Sequence, residues 1–133
     1  MELLTTALRT RLLANGANPG DHVPVVKFFN PLGAATWLIS ELDADGDTLF
    51  GLADLGIGCP ELGSVSLAEL AAVRLPLGLC LERDLCFAAR HPLSVYAAAA
   101  RAQGCITERP DHLADAAAAL ARAAAAGRTR SPP

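Results

Sequence analysis

The carboxylates that could do chemistry are concentrated in one segment, ELDADGDTLFGLADLGIGCPELG, which covers residues 41–63. Asp54 is the most informative of them, because it lies within the apolar run LFGLADLGIG, and a buried carboxylate needs hydrogen-bond donors or a cation. Glu61 and Glu41 could join it around a divalent metal ion, which would activate water for hydrolysis. In the structural interpretation, Asp54 instead accepts hydrogen bonds from backbone amides of the following glycine-rich loop. The sequence leaves both roles open.

Two kinds of ligand-binding loop are excluded here by spacing. A calcium loop that began at Asp43 would need glycine in sixth place and glutamate in twelfth place, but these places hold threonine and aspartate. A dinucleotide-binding G-x-G-x-x-G needs its third glycine where Glu61 stands. We therefore predict that DADG is a solvated turn between two strands, because Asp45-Gly46 is a strong turn signal. We predict no catalytic residue, no metal site and no cofactor.

The other reactive residue types lack partners at a recognisable spacing. His22 and His91 precede predicted elements and have no neighbour that would indicate catalysis. Trp37 lies in the middle of a predicted strand, where we expect core packing, with an exposed interface anchor as the alternative. The cysteines are not spaced as zinc ligands, and we expect them to be small buried hydrophobes. They are Cys59, Cys80, Cys86 and Cys105.

The apolar pattern predicts the elements that position these residues. Leucines at every fourth position predict the first helix, β-branched and aromatic runs predict strands, and a capping box of Ser66 and Glu69 begins a short helix. The predicted elements are a helix over 2–14, strands over 23–29, 35–42 and 48–55, a helix over 67–74, one strand or two short ones over 79–88, a helix from Pro92 to Gly104, and an alanine-rich helix after residue 110.

This order predicts an α+β fold, in which an antiparallel meander of three to four strands packs with three helices. In such a fold the helices cover one face of the sheet. Here, however, apolar and polar residues do not alternate cleanly along the strands, so we expect much of the sheet to be covered on both faces. The chain length of 133 residues corresponds to about one domain. We predict a single domain over 1–106 and an alanine-rich appendage over 107–133, either helical or disordered, with a disordered end at GRTRSPP.

Charge and hydropathy exclude some classes of partner. The net charge is −3, and no lysine or arginine lies between Lys27 and Arg74, so this part of the chain is unsuited to phosphate binding. Direct nucleic-acid binding would have to use Arg128 and Arg130 of the tail. No apolar run reaches the roughly 18 residues of a membrane span, and the first residues lack the organisation of a secretion signal. We therefore expect a cytoplasmic protein.

Several stretches of the chain resemble the DUF2958 family. They are VVKFF, ATWLISELD and DTLFGLADLGIGCPELGSVSLAEL, with LTTALRTRLLANG before them and ERDLCFAARHPLSVYAAAARAQG after them. The resemblance covers about residues 2–106, and GLADLGIGCPELG is its most specific part. The family comprises small bacterial proteins of unknown function, whose genes often lie on plasmids and other mobile elements near genes for DNA partitioning, conjugation or anti-restriction. The resemblance supplies no catalytic residues and implies a bacterial cytoplasmic protein linked to mobile DNA.

Two classes of function fit these observations. The preferred one is a non-catalytic binding or accessory module, in which an acidic, partly apolar surface of the meander meets a protein partner, as an anti-defence or DNA-maintenance factor. The alternative is a small divalent-metal-dependent hydrolase or nuclease accessory that uses Asp54, Glu61 and Glu41. That alternative requires the three carboxylates to converge within roughly 5 Å of one point.

Overall fold

In the computed structural model, residues 2–129 are described, and they form four α-helices and one sheet of five strands. The fold is therefore α+β, as predicted. In chain order the elements are α1 (Thr6–Ala17), β1 (Val26–Phe29), β2 (Thr36–Leu42), β3 (Thr48–Asp54), β4 (Glu61–Ser66), α2 (Leu67–Ala72), β5 (Glu82–Arg83), α3 (Leu93–Gln103) and α4 (Pro110–Thr129). Over this range, no helix is both long and apolar enough to cross a membrane.

The sheet is antiparallel throughout, and its strand order is β4-β3-β2-β1-β5. It has five strands where three to four were predicted. The additional strand is β4, which pairs with β3 from Thr48↔Ser66 to Ala53↔Glu61. Its glycine and serines have low strand propensity, so only pairing with β3 makes it a strand. The strand predicted over 79–88 shortens to β5, which pairs with Phe28 and Phe29.

Helices cover both faces of the sheet. On one face, Trp37 and Ile39 of β2 pack in a core cluster with residues of α1 and α2. On the other face, Leu38 and Leu52 pack with residues of α3 and α4. Successive side chains of a strand point to opposite faces, so the continuous apolar run WLI of β2 supplies both layers. This is the pattern expected of a strand that is covered on both sides.

Helix α1 begins four residues later and ends three residues later than the predicted range of 2–14. The Thr5 hydroxyl accepts a hydrogen bond from the Leu8 amide at 3.1 Å and so caps the helix. The helix continues through Gly16 to Ala17. A Cβ atom at Gly16 would lie 2.0 Å from the carbonyl oxygen of Leu42, so glycine here allows α1 to approach the backbone of β2.

The acidic turn between β2 and β3 exposes Asp43 and Asp45, as predicted, whereas Asp47 is half-buried. Its carboxylates organise the local backbone: Asp45 accepts hydrogen bonds from the amides of Asp47 and Thr48 and from the Thr48 hydroxyl. These bonds lower the pKa of Asp45 below its usual value of 3.8; the bond from the Thr48 hydroxyl has the largest effect, and the two amide bonds have smaller ones. Asp47 accepts from the Ser66 hydroxyl and the Ala68 amide, each at 2.8 Å. The turn is thereby tied to the start of α2.

The alanine-rich segment forms helix α4, in agreement with the helical alternative. Leu113 and Ala116 are buried against α3, whereas residues 118–127 are exposed. The predicted disordered end begins at Gly127, but α4 extends to Thr129. Arg130 and the residues after it lie outside the described residues, and the side chain of Arg128 is not described either. The boundary at residue 106 stays a prediction.

Candidate functional site

Asp54 lies at the end of β3 and is 3% exposed. Its Oδ1 accepts a hydrogen bond from the Gly56 amide at 2.9 Å, and its Oδ2 accepts one from the Ile106 amide at 2.9 Å. The first amide belongs to the loop after β3, and the second belongs to the connection between α3 and α4. Both oxygens of Asp54 are thus engaged by the backbone, and the carboxylate joins two segments that lie far apart in the chain.

The three candidate carboxylates do not converge. Glu61 pairs with Ala53, so strand alternation directs its side chain to the face opposite that of Asp54. Glu41 pairs with Phe50, four residues from Asp54 along β3, or about 13 Å at the usual rise per residue. The Glu41 carboxylate accepts a long hydrogen bond, 3.5 Å, from the Gly20 amide. Among the described residues, no group of three His, Cys, Asp or Glu side chains is placed to hold a metal ion.

Trp37 and Glu61 are the two candidate residues that the structure brings together. Trp37 is 8% exposed and belongs to the core cluster on the α1–α2 face. Its cross-strand neighbour Ala53 is in turn the neighbour of Glu61. The three side chains line a hollow of about 170 Å³, whose other lining residues include Gly51 and Gly63. The hollow is too small for most ligands, and Trp37 mainly fills the core.

A more extensive feature lies at the edge of the sheet beside this hollow. Strand β4 is the terminal strand, and most of its residues are exposed. Leu62 of this strand is 40% exposed, and in the loop that leads into it Leu55 is 59% exposed and Ile57 is 74% exposed. We call these three residues the apolar rim.

The apolar rim was not predicted, although the sequence contains a signal for it. In LGIG, two large apolar residues alternate with glycines immediately after a strand. Gly56 and Gly58 have φ values of 83° and 84°, a left-handed conformation that glycine adopts at little cost. Glycines have no side chain to cover their neighbours, so Leu55 and Ile57 remain exposed to solvent.

The prediction of buried cysteines is wrong. Cys59, Cys80, Cys86 and Cys105 are all exposed and free. Each lies in a connection between elements rather than on the buried face of a helix or strand, and connections run over the surface.

The two histidines considered from the sequence make local contacts. His22 Nε2 lies 2.6 Å from the Asn18 carbonyl oxygen, and the His91 ring contacts Tyr96 edge-on.

A family model for DUF2958, described as a protein of unknown function, matches residues 3–107. The matched range contains all five strands and helices α1 to α3, and it ends just after Ile106, the second partner of Asp54. Comparisons with curated proteins and with solved structures give no match. The match covers more than half of the chain, and the protein therefore belongs to the DUF2958 family.

Proposed function

We propose that this protein is a non-catalytic binding module that captures a protein partner along β4 and the apolar rim. The observation that carries the proposal is an accessible six-residue edge strand that exposes Leu62, together with the preceding loop, which exposes Leu55 and Ile57. Large exposed apolar patches rimmed by polar residues mark interaction sites on soluble proteins.

The backbone of β4 supports strand addition as the mode of binding. An edge strand presents unpaired N–H and C=O groups, which proteins usually protect with lysine, proline, a bulge or a very short strand. The sequence of β4, ELGSVS, contains no lysine or proline, and its pairing with β3 is regular along all six residues. An extended segment of a partner can therefore extend the sheet beside β4 and gain main-chain hydrogen bonds.

The side chains around β4 indicate what the partner segment carries. Ile57 and Leu62 offer apolar contacts on which a partner's hydrophobic side chains can bury area. Glu61 is exposed and forms no ion pair within the described part of the chain. A lysine or arginine of the partner opposite Glu61 would complement this charge, and its contribution would weaken as salt is added.

Membership of the family also suggests the cellular process in which the partner takes part. Since family members are small bacterial proteins often encoded near genes of mobile DNA, we propose a cytoplasmic partner from DNA maintenance or host defence. The carboxylate geometry favours binding over hydrolysis, because both oxygens of Asp54 hold backbone amides and Glu61 faces the other side of the sheet.

Affinity capture with the full chain as bait tests this proposal. The lysate comes from cells that encode this protein, and the bait is wild type, Ile57→Ser, Glu61→Lys or the control Leu85→Ser. Leu85 is 72% exposed, close to the 74% of Ile57, but it follows β5 at the opposite edge of the sheet. We expect the wild type and the control to retain one stoichiometric partner, and both Ile57→Ser and Glu61→Lys to lose it.

Two further observations sharpen the test. Rising salt should release the partner, and hydrogen exchange should show new protection of the β4 amides in the complex, since strand addition engages the free edge. If Ile57→Ser and Glu61→Lys retain the partner as well as the wild type, the docking surface is not here. If no bait retains any protein at low salt, the binding function itself is contradicted.

A further inference from the structure

A second concave site lies on the α1–α2 face of the sheet. It is a cavity of about 600 Å³ between the N-terminal segment, α1, α2 and the stretch that leads into β5. This volume lies in the range of small-molecule sites, which is about 300–1,000 Å³. Neither the binding proposal above nor the family match assigns a role to it.

The inner wall of the cavity is apolar. Its five leucines, Leu3, Leu4, Leu67, Leu70 and Leu81, are all buried members of the core cluster on this face. They come from the N-terminal segment, α2 and the stretch before β5, so the wall depends on the tertiary fold. These leucines are only 4–9% exposed, so a ligand with an apolar body would gain mainly van der Waals contact with the wall.

Two arginines line the same cavity. Arg9 Nη1 donates to the Gly46 carbonyl oxygen at 3.2 Å, and Arg74 Nη1 donates to the carbonyl oxygens of Ala71 and Val73 at 3.0 and 3.1 Å. Over the described residues, neither guanidinium lies within ion-pair distance of a carboxylate. These contacts use one nitrogen of each guanidinium group. The other N–H groups of each guanidinium can bind a carboxylate or phosphate.

Positive groups outnumber negative ones among the residues that line the cavity. Thr6, the first residue of α1, lines the cavity, and the first turn of this helix contains no acidic residue. The positive end of the helix dipole is therefore not neutralised by its own side chains. Glu2 is the one acid among the lining residues, and its side chain is exposed, so the two arginines outnumber it.

We propose that this cavity binds a small amphipathic organic anion. Arg9 and Arg74 hold its carboxylate or phosphate head, and the leucine wall accepts its apolar tail. This site is independent of the edge strand β4, so its test can fail without affecting the proposed binding function.

Calorimetric titration of the full chain with octanoate, octyl phosphate, acetate and the neutral octanamide tests the proposal. Octanoate and octyl phosphate distinguish the two head groups, acetate lacks the tail, and octanamide lacks the charge. We expect at least one of the two long-chain anions to bind, and both acetate and octanamide to bind more weakly. Replacement of Arg9 or Arg74 by glutamine should weaken binding about tenfold or more, because a charge-assisted hydrogen bond contributes at least that factor.

The matched control is Arg101→Gln, which removes an exposed arginine from α3 on the other face of the sheet. It should bind the anions like the wild type. Arg9 also supports the acidic turn through Gly46, so Arg74→Gln and amide chemical-shift mapping on the wild type provide a test that does not depend on the stability of the Arg9 variant. The shifts should fall in α1 and α2.

Several results would overturn the proposal. Equal affinity for octanamide and octanoate would show that the arginines hold no head group, and equal affinity for acetate would show that the leucine wall plays no part. Shifts confined to α3 and α4 would place the ligand elsewhere. Absence of binding by both long-chain anions at millimolar concentration would remove the site altogether.

Discussion

Replacement of Asp54 by asparagine is expected to destabilise the fold. In the wild type, the two carboxylate oxygens accept from the Gly56 and Ile106 amides, each at 2.9 Å. An asparagine oxygen can keep one of these bonds, but its NH₂ group then faces the other backbone N–H. Two donors cannot form a hydrogen bond, so one amide loses its partner and residue 54 no longer links the loop after β3 to the connection between α3 and α4.

The size of this effect follows from the two bonds. A hydrogen bond to a charged group contributes about 1.5–3 kcal/mol, and a neutral one contributes about 1 kcal/mol. Losing one charged bond and weakening the other should therefore lower the free energy of unfolding by about 3 kcal/mol. For a chain of this length, that corresponds to a fall in Tm of roughly 10 °C.

Urea and thermal unfolding followed by circular dichroism would measure the change, with Glu61→Gln as the matched control. Glu61 is exposed at the start of the next strand, so its neutralisation should alter stability by about 0.5 kcal/mol at most. Hydrogen exchange supplies a local readout, because the Ile106 amide should exchange faster in Asp54→Asn.

An unchanged or increased stability of Asp54→Asn would refute this reasoning. A carboxylate held in place for chemistry commonly costs stability, so its removal tends to stabilise the fold. The sign of the change in unfolding free energy therefore separates a structural Asp54 from a functional one.

Two further predictions concern α1 and the acidic turn. Gly16→Ala should destabilise the protein by about 2 kcal/mol or more through overpacking, because the new Cβ would lie 2.0 Å from the Leu42 carbonyl oxygen, whereas Gly63→Ala, with no atom within 4 Å, should be tolerated in the same unfolding assay. Asp45 has a lowered pKa, so its contribution to stability is present above pH 3.8 and is lost as the pH falls below that value. Thr48→Val removes the main cause, and a carboxyl ¹³C titration should show the pKa of Asp45 rising toward 3.8; an unchanged midpoint would contradict this cause.

Local signals in the sequence determined much of the fold. Asp45-Gly46 places the turn between β2 and β3, Ser66 caps α2 by accepting from the Glu69 amide, and Gly104 ends α3 with a φ of 77°. Each of these features depends on residues within a few positions of one another, so the sequence is sufficient to predict them. The irregular alternation of the strands likewise indicated cover on both faces of the sheet.

Only the tertiary structure decided the features that join distant segments. β4 is a strand because it lies beside β3, Gly16 is required because α1 approaches Leu42, and the second partner of Asp54, Ile106, lies 52 positions along the chain. The same holds for the separation of Glu61 from Asp54, since strand register sets the face on which each side chain lies. Residue type and spacing along the chain specify local geometry, but they do not specify which distant backbone groups meet. The pairing of these distant groups determined which carboxylates support the fold and which face solvent.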